Sequence, residues 1–209
     1  MAGIRRQLLD GPRQHHAHEI ELNIFSWARA LMQLVYKFIG KKPAPMFTVP
    51  SMRLVQAALG VGRVDGKPFV VLLEEWINPE VEGPFRKYLG NGSALPFDDL
   101  SVEDMHCAEF LTFAQHVQYW KTGGLAFLAD FQGGSTLLTD LQVVTAPSLG
   151  GDQLFGEGNY SPLFEKFDTE HICGIFCKHF GVPSMTEIHA EWAATNDVVE
   201  VHTGYSFTT

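Results

Sequence analysis

The sequence lacks any uninterrupted apolar run of about 18 residues, the length that a transmembrane helix requires. Its first residues, MAGIRRQLLDG, contain no long apolar segment, so we expect no secretory signal. Basic residues are also few, since 15 Lys and Arg stand against 24 Asp and Glu for a net charge of −9. This balance argues against a general nucleic-acid-binding protein and leaves room for a cationic or metal-bound partner.

Cysteine is scarce, and its odd number, three, fits a disulfide framework poorly. We therefore expect a reducing, cytoplasmic environment, in which neighbouring cysteines are candidate metal ligands. The 209 residues, 45% of them hydrophobic, suggest one domain with a sizeable core.

Apolar periodicity predicts three helices. Hydrophobic residues recur at steps of three and four over His18–Ile39, which indicates an amphipathic helix. Ser101 resembles the first residue of a capping box and predicts a helix from there to about Trp120. A last helix is predicted over Leu163–Phe180, because glycine and proline follow it, whereas the residues after Met185 are weakly patterned.

Two apolar runs, Met52–Val61 and Pro68–Leu73, flank Asp65-Gly66 and predict a pair of strands joined by a turn. A polar stretch from Asn78 to Ser93 follows and is interpreted as the connection between two lobes. The run LAFLADF at 125–131 predicts a further strand.

The sharpest local pattern is HICGIFC, which brings His171, Cys173 and Cys177 close together in the sequence. Cysteines four residues apart share one face of a helix, and two thiolates with an imidazole form part of a tetrahedral zinc site. The alternative is a helical core in which the cysteines are small buried hydrophobic residues. Spacing alone leaves four candidates for a fourth ligand: His106, His116, His179 and His189.

The stretch LADFQGGSTLLTDLQ places two acids and a glutamine around a pair of glycines. Asp130 and Gln132 are two apart on a predicted strand, so their side chains are expected to point the same way. Gly133-Gly134 allows a sharp turn, after which Asp140 returns toward the same space. Such oxygens suit magnesium, and one carboxylate can orient a substrate hydroxyl. The alternative is an ordinary strand that ends in a polar turn.

Taken in order, QHVQYWKTGGLAFLADFQGGSTLLTDLQ, FGEGNYS and HICGIFC resemble the alpha-kinase family, which includes myosin heavy chain and elongation-factor kinases. The shared features are a histidine, a strand, Asp-x-Gln-Gly, Thr-Asp, a Gly-x-Gly-Asn loop and His-x-Cys-x-x-x-Cys. Upstream, LLEEWI followed by GPFRKYLGNGS is similar to the family's hinge and the segment after it. The likeness is good over Glu74–Gly181 and loose over His18–Leu73.

This resemblance implies an α+β, two-lobed protein-kinase-like fold of the alpha-kinase type, with a reduced or truncated N-lobe and a zinc-stapled C-lobe. We expect a single domain over residues 1–209. It would comprise a partial N-lobe to the hinge at 1–77, a C-lobe at 78–185 and a C-terminal tail at 186–209.

The resemblance also implies roles for individual residues. Asp130 would be the catalytic aspartate that positions or deprotonates the acceptor hydroxyl, and Gln132 and Asp140 would hold magnesium. A structural zinc would have four ligands: His116, His171, Cys173 and Cys177. Glu74 would lie at the adenine-binding hinge, and Lys87 and Asn91 would line the phosphate end of the cleft. The glycine-rich loop near the peptide substrate would contain Gly156, Gly158 and Asn159.

Two departures from the family pattern stand out. A short insertion lies around Asn78-Pro79-Glu80-Val81. The family's ATP-gripping lysine belongs to a strand that would fall near Gly3–Leu8, where this chain has Ile4-Arg5-Arg6-Gln7 and no lysine before Lys37. Arginine keeps the charge but differs from lysine in reach and geometry. We therefore expect either a fragment of a longer protein or a degenerate N-lobe.

The favoured function is that of an ATP-dependent serine/threonine protein kinase of the alpha-kinase type. It would transfer the γ-phosphate of Mg-ATP to a protein hydroxyl, with ATP, Mg²⁺ and a structural Zn²⁺ as cofactors. One alternative is a catalytically weak or inactive pseudokinase that serves as a binding module. Another is a zinc-stabilised structural domain that binds no nucleotide. We expect neither a nucleic-acid nor a membrane partner.

Overall fold

The structure, a computed structural model, describes residues 3–5, 11–149, 155–156 and 159–202. The helices are α1 Gly11–Ile39, α2 Pro79–Glu82, α3 Val102–Lys121, α4 Ser161–Glu170, α5 Ile175–Phe180 and α6 Met185–His202. The strands are β1 Gly3–Arg5, β2 Arg53–Leu54, β3 Ala57–Val64, β4 Lys67–Glu74, β5 Arg86–Lys87, β6 Ala126–Ala129, β7 Gln132–Gly133, β8 Leu137–Thr139 and β9 Gln142–Thr145. Among the described helices, none is both long and apolar enough to cross a membrane.

The first sheet has the strand order β1-β4-β3, and both pairs are antiparallel. β3 and β4 are joined through Asp65 and Gly66, whose φ angles of 51° and 77° match the twist of a two-residue hairpin turn. The turn predicted from this dipeptide is therefore confirmed. β1 pairs with the end of β4, so that Gly3 lies opposite Glu74.

Helix α1 packs against this sheet and against α3. It starts at Gly11 rather than at the predicted His18, and it ends at Ile39 as its periodicity predicts. Leu31, Met32 and Val35 are buried on its inner face and belong to the main hydrophobic core. That core also contains the buried phenylalanines of α3 and α5, so α1 connects the first sheet to the helical part of the chain.

The predicted strand at 125–131 is divided between two sheets. β6 pairs antiparallel with β9, whereas β7 belongs to a four-stranded sheet of order β2-β8-β7-β5. The break is at Asp130, whose φ of 58° is incompatible with extended backbone. The prediction that Asp130 and Gln132 share one strand is therefore wrong, because the chain changes sheet between them.

Helix α3 is anchored at its start and along its buried face. Ser101 accepts a hydrogen bond from the backbone N–H of Asp104 at 3.1 Å, which confirms the predicted cap. Two buried glutamines of α3 bind the edge of β6 that does not pair with β9. Gln115 Nε2 donates to the Leu128 carbonyl at 2.8 Å, and Leu128 N–H donates to Gln118 Oε1 at 2.9 Å. Both backbone groups of a residue close to Asp130 are thereby satisfied by side chains of α3.

The C-terminal region departs from prediction in two ways. The single helix predicted over Leu163–Phe180 is two helices, because α4 ends at Glu170 and α5 begins at Ile175 after extended backbone at its cap residue Gly174. The weakly patterned tail is also helical, as α6. Trp192 of α6 packs on Tyr119 with ring centroids 5.5 Å apart. Tertiary packing therefore stabilises a helix that the sequence pattern alone does not predict.

Candidate active site and metal centre

Two aspartates adopt left-handed backbone conformations at either end of the β7–β8 unit. Asp130 has a φ of 58° and Asp140 a φ of 56°. Among the described non-glycine residues, positive φ occurs elsewhere only at the turn residue Asp65. Such positions are typically strained by about 1–3 kcal/mol and cluster at functional sites. The backbone therefore marks the same two acids that the sequence motif does.

Asp130 and Lys87 form an ion pair at this point. Lys87 Nζ lies 2.7 Å from Asp130 Oδ1, and the two side chains are 44% and 10% exposed, respectively. Lys87 is held there because it lies opposite Gln132 in the β5–β7 pair. The backbone N–H of Asp130 donates to the Gly90 carbonyl at 3.3 Å. The structure thus brings together the predicted catalytic acid and the predicted lysine.

Gln132 and Asp140 meet across the β7–β8 unit. Gln132 Nε2 lies 3.3 Å from Asp140 Oδ2 and 3.4 Å from the Asp140 carbonyl oxygen. Amide nitrogen and oxygen are interchangeable by a flip, so the same geometry can present Gln132 Oε1 beside a carboxylate. Such a pair of oxygens suits Mg²⁺, which is often bound by one or two carboxylates together with substrate phosphates.

The predicted hinge acid lies next to this pair. Glu74, at the end of β4, accepts a hydrogen bond through Oε1 from Thr139 Oγ1 at 2.9 Å. Thr139 immediately precedes Asp140, so this hydrogen bond joins the first sheet to the strand end that carries the predicted magnesium ligand Asp140. Asn91 is exposed and follows Gly90, whose carbonyl is bonded to Asp130. Nucleotide binding by Glu74 and Asn91 stays a prediction.

The predicted glycine-rich loop is described only in part. Gly156 has a φ of 64°, which favours glycine, and it lies against Ile20 of α1. Asn159 is buried, and its amide is used within the protein. Its Oδ1 accepts from the Thr145 N–H at 2.8 Å and its Nδ2 donates to Thr145 Oγ1 at 2.7 Å. Asn159 therefore fastens the loop to β9, while Gly158 lies outside the described residues.

The predicted zinc ligands come together as one cluster. One ligand atom from each of its four members lies within 4.8 Å of the others: His116, His171, Cys173 and Cys177. The sulfur–nitrogen distances are 3.5 Å and 3.8 Å for Cys177 and 3.7 Å twice for Cys173. Tetrahedral zinc with ordinary bond lengths places nitrogen and sulfur ligands about 3.6 Å apart. The spacing therefore fits a tetrahedral metal ion.

The protonation chemistry of the cluster also fits a metal. Burial lowers the pKa of His116 to about 4, although the Pro183 carbonyl opposes this effect. Burial and the neighbouring His116 lower the pKa of His171 to about 3. Both imidazoles are thus neutral at pH 7, as metal ligation requires. Burial, followed by the proximity of Cys173, raises the pKa of Cys177 to about 12, so without a metal it stays a thiol.

The cluster forms by a different route from the one predicted. Cys173 does not lie on a helix with Cys177, because it precedes Gly174, the residue that caps α5. The extended backbone of His171 and the break after α4 bring both side chains to α3, which supplies His116. The other candidate histidines bond elsewhere, His106 to the Thr48 carbonyl, His179 to the Pro43 carbonyl and His189 to Asp168.

Two residues near the site were not identified from the sequence. Glu82 and Tyr88 hold the turn between β7 and β8 through hydrogen bonds to Thr136 and to the Gly134 carbonyl, respectively. A glutamate and a tyrosine in a polar connection carry no periodic or spacing signal. Asn78-Pro79 does carry a helix-start signature, and the short helix α2 that it opens delivers Glu82.

A model of the alpha-kinase family matches residues 12–177 of this chain. The structure is similar to the apoenzyme alpha-kinase domain of myosin-II heavy chain kinase A, with 20% identity and a TM-score of 0.57, over 80% of this chain and 60% of that one. An inactive form of that domain in complex with ATP gives 18% identity, a TM-score of 0.56, and coverage of 86% and 62%. The domain in complex with adenosine has 19% sequence identity and a TM-score of 0.56, over 87% of this chain and 61% of that one.

These comparisons confirm the α+β fold of the alpha-kinase type. At such identities the likeness to solved structures concerns the fold alone. The chain spans less than two thirds of the length of each of these three structures. A comparison with curated proteins gave no match.

We predict one zinc ion per chain, bound by the four-residue cluster with no open coordination position. Cys173→Ser or His116→Ala should abolish the metal and cause unfolding or aggregation, since metal-binding free energy then acts as folding free energy. Elemental analysis and thermal unfolding of the purified chain measure both effects.

The matched control is Cys107→Ser, because Cys107 is half-buried and lies outside the cluster. This variant should keep its zinc. A wild-type preparation that is well folded and free of metal would show that the cluster is an ordinary buried group of side chains.

Proposed function

Because the chain belongs to the alpha-kinase family, we propose that it is an ATP-dependent serine/threonine protein kinase. It would transfer the γ-phosphate of Mg-ATP to a hydroxyl of a protein substrate. The observation that carries the proposal is the 2.7 Å Lys87–Asp130 pair. Asp130 is two residues from Gln132 along the chain, Lys87 pairs with Gln132 across β5 and β7, and Gln132 contacts Asp140. A candidate base, a cation and two oxygen groups of the kind that bind Mg²⁺ are therefore neighbours.

Asp130 is proposed to position or deprotonate the acceptor hydroxyl. Its residue surface is 7% exposed, and the Lys87 ammonium lies 2.7 Å from its Oδ1. An ionised carboxylate accepts a hydrogen bond from a hydroxyl and can take its proton. Phosphoryl transfer asks little more of the protein than such positioning together with charge stabilisation.

Lys87 is proposed to exchange Asp130 for a phosphate oxygen when nucleotide is present. Its side chain is 44% exposed and can reach a phosphate oxygen at the surface, whereas the Asp130 side chain is only 10% exposed. Because a buried carboxylate that loses its partner is destabilised, the exchange requires the acceptor hydroxyl to replace the ammonium at Asp130. This movement would also free the carboxylate to face the acceptor hydroxyl.

Gln132 and Asp140 are proposed to hold the magnesium ion of the nucleotide. Mg-ATP, when bound, would supply the phosphoryl group and neutralise part of its charge. Glu74 and Asn91 are proposed to line the nucleotide cleft on the side of the first sheet and of the Gly90 turn, respectively. Gly156, Gly158 and Asn159 are proposed to belong to the loop near the protein substrate.

A catalytically weak nucleotide-binding module is the second candidate, and one observation favours it. β1 pairs with the end of β4 that carries Glu74, where a lysine would be expected, and its sequence is Gly3-Ile4-Arg5. The two candidates differ in a simple way. Both predict that Mg-ATP raises the melting temperature, whereas only the kinase transfers phosphate from labelled ATP to a protein.

Asp130→Ala should reduce phosphate transfer by about 10²–10⁴-fold, the usual contribution of a general acid or base. The fold and the zinc content should be kept, with a modest fall in melting temperature, because alanine adopts the left-handed backbone of this buried position less readily than aspartate. The assay measures transfer of labelled phosphate to a protein acceptor, with the exposed Asp98→Ala as the control. Activity within a few fold of wild type would exclude Asp130 as the catalytic acid.

Gln132→Ala and Asp140→Ala should each raise the Mg²⁺ concentration needed for half-maximal ATP binding, since each removes one oxygen ligand. A loss of about 1.4 kcal/mol in metal binding corresponds to a tenfold shift. Titration of Mg²⁺ at fixed ATP, followed by thermal shift, gives this value. An unchanged Mg²⁺ dependence in both variants would refute their assignment.

A further inference from the structure

Glu82 is a buried carboxylate that binds the turn between β7 and β8, and only 7% of the residue is exposed. Its Oε2 accepts hydrogen bonds from the N–H groups of Thr136 at 2.7 Å and Leu137 at 3.1 Å. Ser135 Oγ donates to the same oxygen at 3.3 Å. Thr136 Oγ1 donates to Oε1 at 2.6 Å. Four donors from three successive residues therefore converge on one side chain.

The backbone of the turn is seated on the same residue. Ser135 N–H donates to the Glu82 carbonyl at 3.0 Å. Gly134 packs so closely on Glu82 that a Cβ at this position would lie 2.5 Å from Glu82 Cβ. On the other side, Tyr88 Oη donates to the Gly134 carbonyl at 2.7 Å. The turn is thus fixed from two sides, and it could not pack this way with a larger residue at 134.

An apolar side chain would fill this space without the penalty of burying a charge, so the choice of a carboxylate calls for an explanation. Among the described residues, Glu82 forms no ion pair. Burial disfavours its ionised form, but the hydrogen bonds from Thr136, Leu137 and Ser135 outweigh burial and lower its pKa. What the carboxylate provides is geometry, because an anion that accepts several hydrogen bonds holds its donors in fixed places.

The β7–β8 hairpin, whose turn Glu82 binds, is too short to be stable without other contacts. β7 and β8 share two residue pairs, Gln132 with Thr139 and Gly133 with Leu138. Their neighbours β5 and β2 contribute two residues each. A two-stranded hairpin is marginally stable in water even when it is longer. The turn therefore needs a side-chain anchor if the open end of the hairpin is to be rigid.

We propose that Glu82 is a positioning residue for the metal–nucleotide site: it fixes the turn at 134–137 and thereby the separation of Gln132 and Asp140 at the open end. This inference rests on the proposed function. The hydrogen bonds of the Glu82 carboxylate go to Ser135, Thr136 and Leu137, so its proposed effect on the two ligand residues is transmitted through the hairpin. The proposed role of Glu82 also explains the Asn78–Val81 insertion, because this segment forms the start of α2, the helix that ends at Glu82.

The test compares Glu82→Gln with Glu80→Gln in the full chain. Both variants remove one negative charge from α2, but Glu80 is exposed and makes no hydrogen bond to the turn through its side chain. Two quantities are measured: hydrogen exchange of the Thr136 and Leu137 amides, and the affinity for Mn²⁺–ADP, with Mn²⁺ as a spectroscopic replacement for Mg²⁺.

In Glu82→Gln the two amides should exchange faster, and Mn²⁺–ADP affinity should fall by about 10- to 100-fold, as for loss of a partner that orients metal ligands. Glu80→Gln should stay within about twofold of wild type, as expected for a surface substitution. Thr136→Val is a milder second variant, because it removes only the 2.6 Å bond to Oε1. Thr136→Ser, which keeps the hydroxyl, should restore affinity.

The outcomes separate this inference from the function on which it rests. If wild type binds Mn²⁺–ADP and Glu82→Gln and Thr136→Val bind it equally well, the positioning role is wrong and the proposed function stands. If both variants lower the melting temperature without changing the affinity of the folded chain, Glu82 is merely structural. If wild type binds no Mn²⁺–ADP, the proposed function fails and the positioning role fails with it.

Discussion

The left-handed backbone at Asp130 is the constraint on which the candidate site depends. With a φ of 58°, it ends β6 and directs the chain into a second sheet, and Asp140 reverses the arrangement with a φ of 56°. Between them, Gly133 has a φ of 151° and a Cβ there would overlap the Leu137 carbonyl oxygen, so only glycine fits. Aspartate tolerates the left-handed region better than most residues, so the two acids of the proposed site can occupy the bends themselves.

Helix α3 links this bend to the proposed metal centre. Gln115 and Gln118 bind both backbone groups of Leu128 on β6, two residues before Asp130. His116 lies between them in the sequence and faces the sulfur atoms of the cluster. A metal ion held by His116 would therefore fix the same turn of α3 that binds β6, the strand that leads to Asp130. Loss of the metal would loosen both parts together.

Local signals in the sequence predicted much of this arrangement, and tertiary contacts decided the rest. The Asp65-Gly66 turn and the Ser101 cap are short-range effects, so they could be found directly. Spacing could not choose His116 among the histidines, and only the order of motifs did so. The break between α4 and α5 was missed because apolar periodicity continues through it. Glu82 was missed because its partners lie more than 50 residues away in the chain.

Asp130, Gln132 and Asp140 are proposed to form one Mg-ATP site. A crystal structure of the chain grown with Mg²⁺ and a non-hydrolysable ATP analogue tests it most directly. We expect a metal ion bound by Gln132 Oε1 and the Asp140 carboxylate, with Asp130 facing the terminal phosphate and Lys87 turned from Asp130 toward a phosphate oxygen. A nucleotide bound elsewhere, or a metal ion that contacts neither Gln132 nor Asp140, would contradict the account.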